Sequence, residues 1–288
     1  MAYLSVILIW STTPLAIKWS GEGVGFLLGI SLRMIIALAI CLIIVVLLKK
    51  KLRWDRSSCS VYLAVGIPLY AAMMCVYWGA QYISSGLISV VFGLTPLMTG
   101  LLAYAFLNEK AFSVNKLLGL VLGLTGLGFI FKQSLVLEDQ AFLGIMGVLG
   151  AVFFHSIGTV WVKKVGFQMP VFLATTGGII VAVFCYLVTW FLFDRSIPNI
   201  MPDHALLSIL YLAVIGSVLG AMLFYYALKH LDTGKMALLT LITPVTALLI
   251  GYLFNNETVA LNTIIGTACV MSGFICYQWL GACSRTTS

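Results

Sequence analysis

One segment of this chain is written twice. Residues 86–109 read GLISVVFGLTPLMTGLLAYAFLNE and residues 234–257 read GKMALLTLITPVTALLIGYLFNNE. Identities in one register include Gly86/Gly234, Thr95/Thr243, Pro96/Pro244, Tyr104/Tyr252, Phe106/Phe254, Asn108/Asn256 and Glu109/Glu257. Both copies are long apolar stretches interrupted by a proline. A duplicated apolar chain with matched helix breaks has few folds open to it. The simplest is an inverted-repeat carrier, with a solute path between its two halves.

Composition places the burial problem in lipid. Of 288 residues, 62% are hydrophobic and 9% are charged, against roughly 25% charged in an ordinary soluble domain. Mean hydropathy is +1.11. Many stretches approach the length of about 20 apolar residues that crosses a bilayer. The cysteines Cys41, Cys59, Cys75, Cys185, Cys269, Cys276 and Cys283 form no CxxC and sit mostly in apolar runs. They read as small packing residues, not as disulfides or ligands. The pI near 9.0 does not point to nucleic acid, because the basic residues lie at helix ends and form no interleaved patch. The first apolar run reads as a first transmembrane helix, since no small-residue cleavage site follows it.

Ten helices are expected, over 2–20, 26–48, 60–80, 85–107, 115–132, 141–163, 169–192, 204–227, 233–254 and 262–280. The turn between the third and fourth rests only on Gln81, Tyr82, Ser84 and Ser85, with support from the matching polar stretch at 229–235. With the N-terminus inside, 12 Lys/Arg fall on the cytoplasmic side and Lys18, Lys132 and Arg195 outside. That asymmetry fixes the expected orientation, with both termini cytoplasmic. The repeat unit is five helices. Five is odd, so the second copy enters the membrane upside down. The fold class expected is an all-α polytopic membrane protein of ten transmembrane helices in two inverted five-helix repeats. The first repeat covers 1–132, the second 141–280, and 281–288 is a cytoplasmic tail.

The first helix carries IWSTTPLAIKW, with Trp10, Ser11, Pro14 and Lys18. The second helix holds the single Arg33, and the fourth and ninth end in Glu109 and Glu257. In these features the chain resembles the EamA-type members of the drug/metabolite transporter superfamily, over nearly its whole length. The resemblance implies a central cavity between the halves, lined by the first, third, fourth, sixth, eighth and ninth helices. It also implies export of small organic solutes across a bacterial inner membrane. The sixth helix departs from the family pattern, with AVFFHSIGTVW at 151–161.

Several residues are candidates for the cavity or its gates. A proline inside a helix leaves a carbonyl without its donor, which in a membrane must find another partner. Thr95-Pro96 and Thr243-Pro244 thus read either as bends that line or flex the cavity, or as fixed packing kinks. Trp10, Thr13 and Pro14 share a face of the first helix; Trp10 lines the cavity or packs between helices. Arg33 lies in an apolar helix, where an arginine needs a partner or a water-filled path. It has a structural, gating or solute-binding role. His155 and Ser156 lie near mid-membrane. His155 is the candidate for proton coupling, since histidine titrates between about pH 5 and 8, or is a neutral hydrogen-bonded residue.

Tyr77 and Trp78 match Tyr225 and Tyr226 in the second repeat. They are placed to grip an apolar part of a solute or to sit in an interfacial belt. Glu109 and Glu257 are expected as helix-end clamps on their own hairpins, with Lys18 or Arg33 as a further partner for Glu257. The glycine spacings Gly119/Gly123 and Gly216/Gly220, with Gly266 and Gly273, allow close helix packing.

The chain has no GxxxxGK[ST] loop, no metal-ligand cluster and no catalytic triad context. No cofactor is called for, and an enzyme is not expected. The expected function is secondary transport by alternating access, exporting a small amphipathic solute such as an amino acid. The partners are that solute, the bilayer and candidate coupling protons, with a monomer or homodimer as the unit. An importer or exchanger of small anions and a non-transport membrane scaffold are the rival readings.

Overall fold

The computed structural model describes residues 2–107, 114–137, 140–166, 169–195, 197–220, 223 and 233–278. Among them all regular structure is helical. The first repeat contains α1 (Ala2–Gly21), α2 (Phe26–Leu47), α3 (Arg56–Gly79), the pair α4 (Ser85–Phe92) and α5 (Thr95–Leu107), and α6 (Val114–Leu137). The second contains α7 (Ala141–Val165), α8 (Val171–Phe193), α9 (Asp203–Tyr211, continuing as a π-helix over Leu212–Leu219), α10 (Thr233–Asn255) and α11 (Leu261–Gln278). Counting α4 and α5 as one interrupted span gives ten. Five helices of the described residues are long and apolar enough to cross a membrane outright, and four shorter apolar helices accompany them.

Local chemistry explains the element ends. Asp55 opens α3 four residues before the expected start. Its carboxylate accepts from Ser58 N at 3.2 Å and Ser58 Oγ at 2.7 Å. The Ser58 hydroxyl bond, followed by its backbone bond, holds the Asp55 carboxyl below its usual range. That contribution is present above the ordinary carboxylate pKa and is lost as the pH falls.

The two Thr-Pro segments fold differently. Pro96 has no N–H to give the Phe92 carbonyl, and its ring crowds that carbonyl. The helix stops at Phe92. Gly93 N bonds Ser89 O and Val90 O, Leu94 N bonds Val91 O, and Met98 N to Leu94 O restarts the α-helical pattern. Pro96 then sits in the first turn of α5, where no donor is required. Pro244 lies inside α10, which continues through it. At the aligned site Gly93 is replaced by Leu241, and glycine yields where leucine holds a helix, by about 1 kcal/mol.

The packing repeats with the same inversion. The most extensive contacts between spans either have a partner generated by exchanging the repeats or map onto themselves. α1 packs on α10 as α7 packs on α4–α5. α3 packs on α8 as α9 packs on α2. α3 packs on α7 as α9 packs on α1. Three pairs map onto themselves: α2 with α8, α4 with α10, and α6 with α11. Glycines permit the closest approaches. A Cβ at Gly79 would lie 2.7 Å from Gly144 O, and one at Gly273 would lie 2.6 Å from Gly119 O. The small-residue stripes of α6 and α11 are thus used against each other within one chain. The six described cysteines are free thiols.

Candidate functional site

Arg33 is 5% exposed on an otherwise apolar helix. Its Nε donates to Ser217 Oγ at 3.1 Å and its Nη1 to Tyr77 OH at 3.2 Å. Tyr77 also receives Ser20 Oγ at 3.5 Å. Ser217 belongs to the π-helical stretch of α9, a distortion often found at functional sites. Among the described residues no carboxylate pairs with Arg33. A charge this buried therefore rests on neutral hydroxyls. The neighbouring aromatics diverge: Tyr77 holds Arg33, while Trp78 stacks edgewise on Tyr82 at 5.3 Å and faces Gly147 of α7. Tyr225 and Tyr226 lie outside the described residues.

Around the helix break, Thr99 Oγ1 donates to Ser156 Oγ at 3.0 Å, and Ser156 Oγ reaches Thr95 O at 3.5 Å. Ser156 is fully buried. The Thr95 hydroxyl has no partner, so it does not support the Phe92 carbonyl that Pro96 leaves without a donor, and the Ser156 bond from α7 goes to the Thr95 carbonyl instead. Thr243 is buried beside Pro244. The two proline-bearing segments approach each other: a Cβ at Gly93 would lie 3.9 Å from Pro244 Cγ.

His155 is exposed although it lies mid-helix. Successive residues turn by about 100°, which fixes where it points. Ser156 faces α5, and Gly158 faces α3, where a Cβ on it would lie 2.9 Å from Pro68 Cβ. His155 lies between those two directions. The exposed apolar face of Phe142, Met146, Phe153 and Trp161 is turned roughly 120–180° away. His155 and Thr159 are thus accessible on the inward side of α7, not the lipid side. Thr159 Oγ1 donates to His155 O at 3.1 Å.

On α1, Thr13 Oγ1 donates to Ile9 O at 2.6 Å, inside its own helix. Pro14 is buried, and Trp10 and Leu223 both pack against Val6 and Ile7. Hydroxyls beside the candidates reach other spans. Ser11 Oγ bonds Thr246 Oγ1 of α10, and Thr12 Oγ1 bonds Tyr211 OH of α9 at 2.6 Å. The run of hydroxyls before Pro14 was the signal for them.

At the end of the bundle where α1 finishes, Glu257 is 8% exposed. It accepts Ser85 N at 2.9 Å, Ser85 Oγ at 2.9 Å, Gly86 N at 3.3 Å and Asn255 Nδ2 at 2.9 Å. Lys18 Nζ lies 3.8 Å from the carboxylate and also donates to Ile83 O at 3.3 Å. Trp19 Nε1 donates to Asn255 Oδ1 at 3.0 Å. Asn256, at φ 50°, turns the chain so that Glu257 points back. The cap therefore forms on a helix of the other repeat, and not on its own hairpin as expected. Glu109 lies outside the described residues. Among the described residues no group of three or more His, Cys, Asp or Glu is placed to hold a metal.

Two inverted five-helix halves, crossed at their proline-bearing spans around inward-facing polar residues, define a multi-pass membrane transporter. The chain belongs to the EamA-like transporter family, whose pattern matches residues 1–132 and 142–278. It is 26% identical over 275 residues to the transporter YoaV of Bacillus subtilis, covering 95% of this chain and 94% of that one. It is 24% identical to the protein PagO of Salmonella typhimurium, over 90% and 87% of the two chains. A transporter of Archaeoglobus fulgidus is 26% identical, over 93% and 94%. One crystal structure matches with a TM-score of 0.67 at 18% identity, over 98% and 97% of the two chains, a likeness of fold. The chain is a carrier and not an enzyme.

Proposed function

We propose that the protein exports a small amphipathic solute, such as an amino acid, from the cytoplasm by alternating access. The observation that carries this is Arg33, a buried cation held by Tyr77 and Ser217 without an acidic partner among the described residues. Such a group suits a solute carboxylate reaching it through a polar path. Trp10, Thr13, Pro14, Thr95, Pro96, Ser156, Thr243 and Pro244 belong to the cavity walls or their bends, with Tyr225 and Tyr226 assigned there by register. His155, accessible from the inside of the bundle, is the coupling candidate for protons. The membrane is a bacterial inner membrane with both termini cytoplasmic, supported by the distribution of Lys and Arg. The domain limits are 1–132 and 141–280. Use of the α6 and α11 glycines within one chain favours a monomer as the transport unit.

Import or exchange of a small anion is the second reading, favoured by the same Arg33 without an acidic partner. Lys18 is less suited to it, being engaged by Glu257. Labelled amino acids and organic anions presented to proteoliposomes, with and without a pH gradient, test both. Saturable flux of amino acids supports the first reading, and flux of anions alone overturns it. No flux from a full panel, together with no ligand-induced thermal shift, sinks the carrier reading of this site.

A further inference from the structure

We propose that Glu257 is the latch that holds the two repeats together at the external end. This rests on the transporter reading and orientation proposed above. A helix start leaves its first N–H groups without intrahelical partners. At α4, Ile88 N makes the first helical bond, to Ser84 O, and Leu87 N is capped by Ser84 Oγ. The donors ahead of them, Ser85 N and Gly86 N, are bonded by Glu257. The carboxylate is carried by the loop after α10, in the second repeat. Its donors Ser85 and Gly86, and its ion-pair partner Lys18, all belong to the first. Separating the repeats at this end must break these contacts together. Leaving them made keeps α1, α4 and α10 joined and the external mouth closed. The positive end of α4 and the Lys18 ammonium both favour the anion there.

Space is reserved for the latch. A Cβ at Gly251 would crowd Ser85 Oγ at 2.9 Å and overlap the Glu257 carboxylate. A Cβ at Gly86 would lie 2.9 Å from Leu248 Cα. These two glycines let α4 and the end of α10 come together.

The test reads opening without any solute. In a variant with the native cysteines replaced by serine, Thr159→Cys places one thiol on the inward face of α7. Its labelling by a membrane-impermeant maleimide added outside intact cells reports the external path. Glu257→Ala is expected to speed labelling roughly tenfold, the response to a shift of about 1.4 kcal/mol in the open–closed balance. Gly251→Ala, which displaces the carboxylate without removing it, is expected to do the same. Glu22→Ala, which breaks the exposed 3.1 Å pair with His204 at the same end, is expected to change nothing. Unchanged labelling in folded Glu257→Ala and Gly251→Ala proteins overturns the latch, as does an equal rise in Glu22→Ala. Failure of the transporter reading shows instead as absent flux in the unaltered protein.

Discussion

Ser85 donates its backbone N–H to the carboxylate of Glu257 across 172 positions of chain, at 2.9 Å. The bond joins the first turn of one repeat's broken span to the loop that closes the equivalent span of the other. It is an inter-repeat contact made by the residue that the duplication marks most clearly. The carboxylate completes a helix cap that the local sequence at Ser84 only half supplies.

Removing Glu257 leaves two helix-start donors and the Lys18 ammonium without their anion. Bonds to a charged acceptor contribute about 1.5–3 kcal/mol each, with overlap between them. Glu257→Ala is expected to cost about 2–4 kcal/mol, and Ser85→Ala, which loses one hydroxyl bond, about 1 kcal/mol. Thermal unfolding in detergent checks the order. Equal midpoints for the two variants would contradict it.

Arg33 needs its fork. Nε and Nη1 reach Ser217 and Tyr77 in different directions, and an ammonium offers no such rigid pair of donors. Arg33→Lys is therefore expected to behave much like Arg33→Ala, with at least about a tenfold fall in flux, equivalent to about 1.4 kcal/mol. A double-mutant cycle with Tyr77→Phe should show coupling of about 0.5–3 kcal/mol. Additive effects in that cycle would place the role of Arg33 elsewhere.

Much of this architecture was legible from residues alone. The register from Gly86/Gly234 to Glu109/Glu257 carried the duplication, and an odd number of spans carried its inversion. The contacts were less legible. Ser11 and Thr12 reach α10 and α9 while Thr13 satisfies its own helix, because neighbouring side chains on a helix point about 100° apart. The expected hairpin clamp at Glu257 became a cross-repeat cap because Asn256 adopts positive φ and turns the carboxylate toward α4. The π stretch carrying Ser217 has no local signal in LAVIGSVL; its geometry arises where α9 packs on α2 and Arg33.

His155 faces inward between the α3 and α5 directions, one turn from Thr159. If it carries the coupling proton, His155→Ala removes the effect of a pH gradient while solute binding persists. Flux and ligand-induced thermal shift, measured on the same preparation, separate the two. Full gradient dependence in the variant assigns coupling to another group.

Close helix contact at Gly79 admits no added carbon. A methyl group there would meet Gly144 O at 2.7 Å and Val148 at 3.2 Å, so α3 and α7 would have to part. Overpacking of this kind costs about 1–3 kcal/mol. Gly79→Ala is expected to lower the unfolding midpoint, while Gly128→Ala, whose Cβ would meet nothing within 4 Å, is expected to leave it unchanged or raise it.

The two prolines should separate stability from motion. Pro96 begins α5 after a break already made at Gly93 and Leu94, so its N–H is not needed and its removal restores little. Pro244 interrupts the bonding of a helix that otherwise runs from Thr233 to Asn255. Pro244→Ala returns the missing donor to the Thr240 carbonyl, up to about 3 kcal/mol by helix-interior values. A straighter α10 would also move the crossing at Gly93 and stiffen the span that carries Glu257. Stabilising a hinge commonly slows the process it serves. Pro244→Ala is thus expected to raise the unfolding midpoint and lower flux, and Pro96→Ala to change the midpoint much less. A Pro244→Ala protein that is more stable and transports at the original rate would make this proline a packing kink, with the bending placed at Gly93 alone.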